Sequence, residues 1–140
     1  MFLAGQWFLC NSSQLINFMT SGPIVAFELM GTGAVSKWRE MMGPTDSAEA
    51  RKQAPAGLRA RFGKDTTENA CHGSDSLSSA AREIEFFFPS TGPVRENTAK
   101  MSECTCCVIK PHSVLAGKCL MGNLLLYICV PLDASEMTRI

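Results

Sequence analysis

A net charge of either sign is missing from this sequence: among 140 residues, 13 Lys and Arg balance 13 Asp and Glu. No net field exists to recruit nucleic acid or an anionic membrane, so neither is expected as a partner. Long apolar runs are missing too. The first ten residues are apolar, but they carry no basic flank and break at Gln6, so no signal peptide is expected. The run Cys119–Pro131 is interrupted by Asn123 and falls short of the ~18–20 residues of a membrane span. No internal repeat is present, nor any carboxylate cluster to hold a resident metal. The length allows one domain with a genuine core.

Seven cysteines are present, an odd number without a secretory signal, which favours reduced thiols in a cytosolic protein. Cys104, Cys106 and Cys107 form a cluster that zinc would suit, but no second ligand pair stands at matching spacing. The β-branched, apolar setting TCCVI favours a buried strand instead.

Along the chain, Gln14–Thr20 reads as the last turns of an amphipathic helix, stopped by Ser21-Gly22-Pro23. Ile24–Leu29 is short, apolar and bounded by turn residues, the pattern of a buried strand. Ala34–Met42 reads as a helix with Val35, Trp38, Met41 and Met42 on one face, and Gly43-Pro44 stops it. A Pro/Ala/Ser-rich loop is expected from Gly43 to about Pro55. Asn69–His72 reads as the end of a short strand. The helix after it, from about Ser76, carries Leu77, Ala80, Ala81, Ile84, Phe87 and Phe88 as its apolar stripe, with Asp75 or Ser76 as N-cap and Pro89 as its stop. Pro89–Ser102 is turn-rich and without hydrophobic period; a second apolar strand is expected at Thr105–Ile109, followed by Lys110-Pro111-His112.

Chemistry concentrates in the octapeptide NACHGSDS, Asn69 to Ser76, which places His72 in a Gly-Ser-Asp turn. Imidazole is a nucleophile near neutral pH because much of it is unprotonated there. A helix start offers free backbone N–H groups and a positive dipole end, which suit a phosphate. Nucleophile and expected anion site fall within a few residues, a pairing that points to phosphoryl transfer.

SGPIVAFEL, WREMMGPT, GLRARFG and NACHGSDS, with Glu83 behind them, recur in the order found in nucleoside diphosphate kinases. The segment from about Gln14 to Phe88 resembles that family, and FFFPS, NTAK and CTCCVIKPH resemble its tandem-domain members, which are associated with cilia and centrosomal gamma-tubulin machinery. The resemblance implies a ferredoxin-like α/β plait (α+β), an incomplete one here, with helices packed on an antiparallel sheet. It implies that His72 becomes transiently phosphorylated, that Glu83 orients the imidazole and that Ser74 stands close to it. Arg39, Thr45 and Arg59 match residues on the nucleotide phosphates, and Asn69 matches the sugar contact. The reaction implied is ping-pong transfer of a γ-phosphate from a nucleoside triphosphate to a nucleoside diphosphate, with Mg2+ carried by the nucleotide.

The family's opening Lys-Pro-Asp-Gly strand is not found before Gln14, its aromatic base-stacking position falls on Ser12, and the Lys-Pro here is Lys110-Pro111. Thr45 and Arg59 also stand further apart than in the family, so the site between them is expected to be less securely assembled. The expected organisation is a non-family segment at 1–13, the back of one kinase-like domain at 14–89, a linker at 90–102, the start of a second such domain at 103–118 and a divergent tail at 119–140, as from alternative splicing or an incomplete gene product. Turnover is expected to be weak or absent. The alternative function is a non-catalytic structural component of ciliary or centrosomal microtubule assemblies, with microtubule or gamma-tubulin partners in the cytoplasm, at the centrosome or along the axoneme. Leu124–Val130 is expected to promote aggregation. Two apolar strands without their usual neighbour would leave backbone groups unpaired. Thr105–Ile109 is therefore expected to insert between them, as in a circular permutant, and to carry Lys110 toward His72.

Overall fold

A computed structural model of the chain describes residues 13–90 and 103–117, together with the backbone of 129–130. Helix α1 (residues 13–19) is followed by β1 (Ile24–Met30), α2 (Ala34–Met42), α3 (Ser47–Gln53) and α4 (Leu58–Phe62). Then come β2 (Cys71–Gly73), α5 (Leu77–Phe87), β3 (Cys104–Ile109), α6 (Pro111–Leu115) and the two-residue β4 (Cys129–Val130). The antiparallel sheet has the order β2-β3-β1-β4. This is the expected ferredoxin-like α/β arrangement.

The expected insertion of the late strand is found. β3 pairs with β1 on one side, from Val25↔Ile109 to Met30↔Cys104, and with β2 on the other, from Cys71↔Ile109 to Gly73↔Cys107. Every residue of β3 is buried, so its unbroken apolar run suits a strand covered on both faces. Alternation then splits the core in two. Ile24, Ala26, Cys104, Cys106 and Val108 meet Ala80, Ile84, Phe87 and Phe88 on one face. Val25, Cys107 and Ile109 meet Trp38, Met42 and Leu58 on the other. The cysteine cluster is therefore strand core. Burial holds the Cys104 thiol at about 11, and pushes the Cys106 and Cys107 thiols up further.

Four local expectations need correction. The stretch expected to be a loop from Gly43 to Pro55 contains α3, whose cap Asp46 accepts from the N–H groups of Ala48 (2.7 Å) and Glu49 (2.9 Å). Only Ser47 and Ala50 of α3 are buried, so no apolar stripe announced it, although Asp46 with Glu49 three positions on is a helix-start pattern. The strand expected at Asn69–His72 is instead Cys71–Gly73, because Ala70 adopts φ 73°, a left-handed conformation that cannot extend the ladder. On α5, Leu77 is 65% exposed and Ala81 is exposed; the buried face is Ser79, Ala80, Glu83, Ile84 and Phe87. Met41 of α2 likewise faces outward, leaving Trp38 and Met42 as its buried pair. The N-terminal run 1–10 lies outside the described residues, as does the tail window apart from the backbone of 129–130, which pairs with Ile24 and Val25. Among the described residues no helix is long and apolar enough to cross a membrane.

Candidate active site

His72 stands in the middle of β2, and α5 begins four residues after Gly73. Ser76 caps that helix: its hydroxyl accepts from Ser79 N–H, and the Ser79 side chain accepts from Ser76 N–H in return. One turn and a half along α5, Glu83 faces back toward the strand. Its Oε2 accepts from His72 Nε2 at 2.8 Å and from the Ser74 hydroxyl at 2.9 Å. Ser74 Oγ in turn accepts from the Cys106 N–H at 3.1 Å, and the Ser74 N–H donates to the Cys106 carbonyl at 3.2 Å. The inserted strand thus braces the network from behind. Burial works against ionisation of Glu83, but the hydrogen bond and charge of His72 and the hydrogen bond from Ser74 outweigh it and hold its carboxyl below the ordinary range. An ionised carboxylate only accepts, so Nε2 is the protonated nitrogen facing Glu83, and in the neutral imidazole the lone pair falls on Nδ1.

His72 lines a cleft of about 660 Å³, a volume suited to a small-molecule ligand. Arg39, Thr45, Arg59, Asn69, Glu83 and Lys110 line it as well. Arg59 from α4 donates to the Gly43 carbonyl (3.0 Å), to Thr45 Oγ1 (3.4 Å) and to the Cys71 carbonyl (3.3 Å). The longer segment between Thr45 and Arg59 therefore does not keep them apart; α3 and α4 pack on one another and close it. Burial, reinforced by nearby Arg39, lowers the pKa of the Arg59 guanidinium from its ordinary value. Asn69 is buried and donates through Nδ2 to the carbonyls of Thr45 and Thr66, both at 3.0 Å, while its Oδ1 has no hydrogen-bond partner among the described residues.

Lys110 follows directly on β3. Its N–H donates to the Ala70 carbonyl and its Nζ to the Thr67 carbonyl, both at 2.9 Å. Burial is the main cause of its pKa falling to about 8, with the positive charge of Arg59 adding to it. The Thr67 carbonyl is presented by a turn in which Asp65 Oδ1 accepts from the Thr67 and Glu68 N–H groups, both at 2.7 Å. A buried lysine beside an arginine, with a backbone carbonyl as its hydrogen-bond acceptor, is a site short of negative charge.

One expectation about this site fails. The start of α5 does not offer an open anion site, because Ser76 takes the Ser79 N–H and the Asp75 carboxylate accepts from the Ser79 (2.6 Å) and Ser76 (3.1 Å) hydroxyls. The cations that could hold a phosphate stand elsewhere around the cleft. Ser74 is fully buried behind the imidazole and does not line the cleft. Residues that sequence reasoning passed over include Arg82 and Thr67 on the cleft wall, and Trp38, whose Nε1 donates to the His72 carbonyl at 3.1 Å. Arg82 precedes Glu83 directly, which was a usable signal; Trp38 read only as a core position.

Comparison with known proteins agrees with this geometry. The sequence model of the family described as Nucleoside diphosphate kinase matches residues 11–92. Nucleoside diphosphate kinase homolog 7 of Rattus norvegicus is 46% identical over 129 residues, covering 89% of this chain and 32% of the relative. A nucleoside diphosphate kinase of Aquifex aeolicus is 55% identical over 75 residues, 54% of this chain and 53% of the relative. Nucleoside diphosphate kinase 6 of Danio rerio is 50% identical over 76 residues, 54% of this chain and 43% of the relative. The chain thus spans about a third of the length of the homolog 7 relative and about half that of the other two. With sequence motif, sheet order and these similarities in agreement, the chain belongs to the nucleoside diphosphate kinase family.

Proposed function

We propose that the cleft binds nucleoside tri- and diphosphates and that His72 carries a phosphoryl group between them. The observation that supports this most directly is the His72–Glu83–Ser74 chain of hydrogen bonds at the wall of a cleft that also holds Arg39, Arg59 and Lys110. His72 Nδ1 attacks the γ-phosphorus, and the bond from that phosphorus to the β–γ bridging oxygen breaks. The nucleoside diphosphate leaves with that electron pair. Nε2–H stays on Glu83, which stabilises the cationic phosphoimidazole. Attack by the terminal oxygen of a second nucleoside diphosphate reverses the step. Arg39, Arg59, Thr45 and Lys110 hold the phosphates, Asn69 the sugar, and Mg2+ enters as part of the nucleotide substrate. Residues 14–89 and 103–118 are read as parts of two kinase-like domains. The Lys-Pro of the second serves the cleft of the first.

Turnover is expected to be slow, since an aromatic clamp for the base is replaced by Ser12. The rival reading is a non-catalytic component of ciliary or centrosomal microtubule assemblies, in contact with gamma-tubulin machinery. Incubation with γ-labelled ATP separates the two. Acid-labile label on the full chain, lost in His72→Ala, supports phosphotransfer. Absence of label from a folded chain that still binds ATP overturns it in favour of the structural role.

A further inference from the structure

Trp38 of α2 is 2% exposed, and its helical spacing alone would make it a plain core residue. Its contacts are more specific than that. The indole Nε1–H donates to the main-chain carbonyl of His72 itself, at 3.1 Å. The same ring lies where the next residue would carry a side chain: a Cβ on Gly73 would stand 2.2 Å from Trp38 Cδ1 and 2.5 Å from Nε1. Phe27 of β1 holds the indole edge to face, with centroids 5.9 Å apart at 74°. A buried indole N–H needs a partner, but here the partner is the carbonyl of the candidate nucleophile, and the neighbouring glycine lets the ring close on it.

Among the described residues β2 is a three-residue edge strand: it follows Ala70, which stands at φ 73°, and pairs on one side alone, with β3, so Trp38 reaches it from outside the ladder. Glu83 fixes the far end of the side chain at Nε2, but a hydrogen bond at the ring tip cannot fix the main chain that carries the ring. We infer that Trp38 is a positioning residue for His72: its N–H and ring fix the main chain at 72 and 73, so that the imidazole meets Glu83 in one tautomer and leaves Nδ1 bare. The kinetic half of this inference rests on the phosphotransfer reading; the geometric half stands without it.

The test uses the full chain with three side chains at position 38: the native indole, Trp38→Phe, and benzothienylalanine, which keeps the two-ring shape and lacks the N–H. The sequence has two histidines, so the ring nitrogens of His72 are assigned in 15N spectra by their loss in His72→Ala. In the native chain, Nε2 is expected to be protonated and Nδ1 bare. In both variants the two shifts are expected to move toward the exchange-averaged values of a free imidazole. The rate of His72 phosphorylation by ATP should fall about tenfold with ATP affinity held within about twofold, the split expected when a reacting group is misplaced while binding contacts stay. Native shifts and a native rate in the benzothienylalanine chain would overturn the inference, even if Trp38→Phe fails to fold. An affinity loss as large as the rate loss would also overturn it, because it indicates general loosening. If the native chain forms no phosphohistidine, the phosphotransfer reading falls, and the nitrogen shifts still decide the role of Trp38.

Discussion

His72 and Lys110 line one cleft but reach it by opposite routes. His72 belongs to a contiguous stretch in which turn, cap, strand and helix are local: Asn69 to Phe87 supplies the nucleophile, its carboxylate partner and the hydroxyl between them. Lys110 arrives on a strand that must first find a slot between β1 and β2. The first route places a group through short-range hydrogen bonds. The second places it through the fit of a whole buried strand. The two meet at Ser74, whose main chain and hydroxyl both bond Cys106 of the inserted strand. The local half of the site therefore depends on the distant half.

The largest expected effect comes from breaking that dependence. Cys106→Pro removes the N–H that reaches Ser74 and places a ring in the centre of the sheet, where proline is not tolerated. Loss of a cooperative thermal melt is expected, and a melt retained within a few degrees would show that the strand is dispensable. Lys110→Met should leave the sheet paired and weaken ATP binding by about tenfold or more, the size of a lost charge-assisted hydrogen bond. Titration calorimetry checks this, with Lys64→Met, an exposed lysine, as the control expected to bind normally.

The same lysine gives a pH signature. Its folded pKa is lowered from 10.5 to about 8, so below pH 8 both folded and unfolded chains carry the charge and the burial penalty is fully present. Above pH 8 the unfolded chain binds more protons, so this residue makes stability rise with pH. ATP affinity should fall over the same interval as the free ammonium is lost, and Lys110→Met should flatten both trends. Measurements belong between pH 7.5 and 9, since the buried thiols, raised above their ordinary 9.0, act on stability in the opposite direction beyond it.

Ser74→Ala is a milder cut. It leaves the Cys106 N–H without its acceptor and removes one of the bonds that keep Glu83 ionised. A stability loss of about 1–3 kcal/mol is expected in denaturant melts. The Glu83 carboxyl should also protonate at higher pH than in the native chain, which a pH titration of its 13C carboxyl shift checks; an unmoved Glu83 titration would separate Ser74 from the site. Leu77→Ala should change stability by less than about 0.5 kcal/mol, since that side chain stands 65% exposed ahead of the buried face of α5.

The residues legible in the sequence were those whose partners are local or whose pattern is continuous. His72 and Glu83 stood eleven positions apart in a recognisable frame, and the apolar run Thr105–Ile109 declared a buried strand. Even its slot could be argued, from the backbone groups that would otherwise go unpaired. α3 was missed because it buries one alanine and one serine and shows no hydrophobic period. α6 is five residues long and signalled by Pro111 at its first turn alone. The tie from Trp38 to the His72 carbonyl was illegible for a different reason. It joins residues 34 positions apart through an indole N–H and a missing Cβ, and neither leaves a periodic trace.

The order of strands also sets a timetable for synthesis. The ribosome delivers β1 first and β2 next, but β3, which must stand between them, comes last of the three. Until Ile109 has left the exit tunnel, the inner edges of both earlier strands have no mate, and loop closure spans more than seventy positions before the first pair of β1 and β3 can form. The nascent chain thus spends its growth with an open slot at the centre of the sheet. Chaperones that shield unpaired strand edges have their longest window there, and translation speed through the segment before Cys104 becomes a determinant of yield.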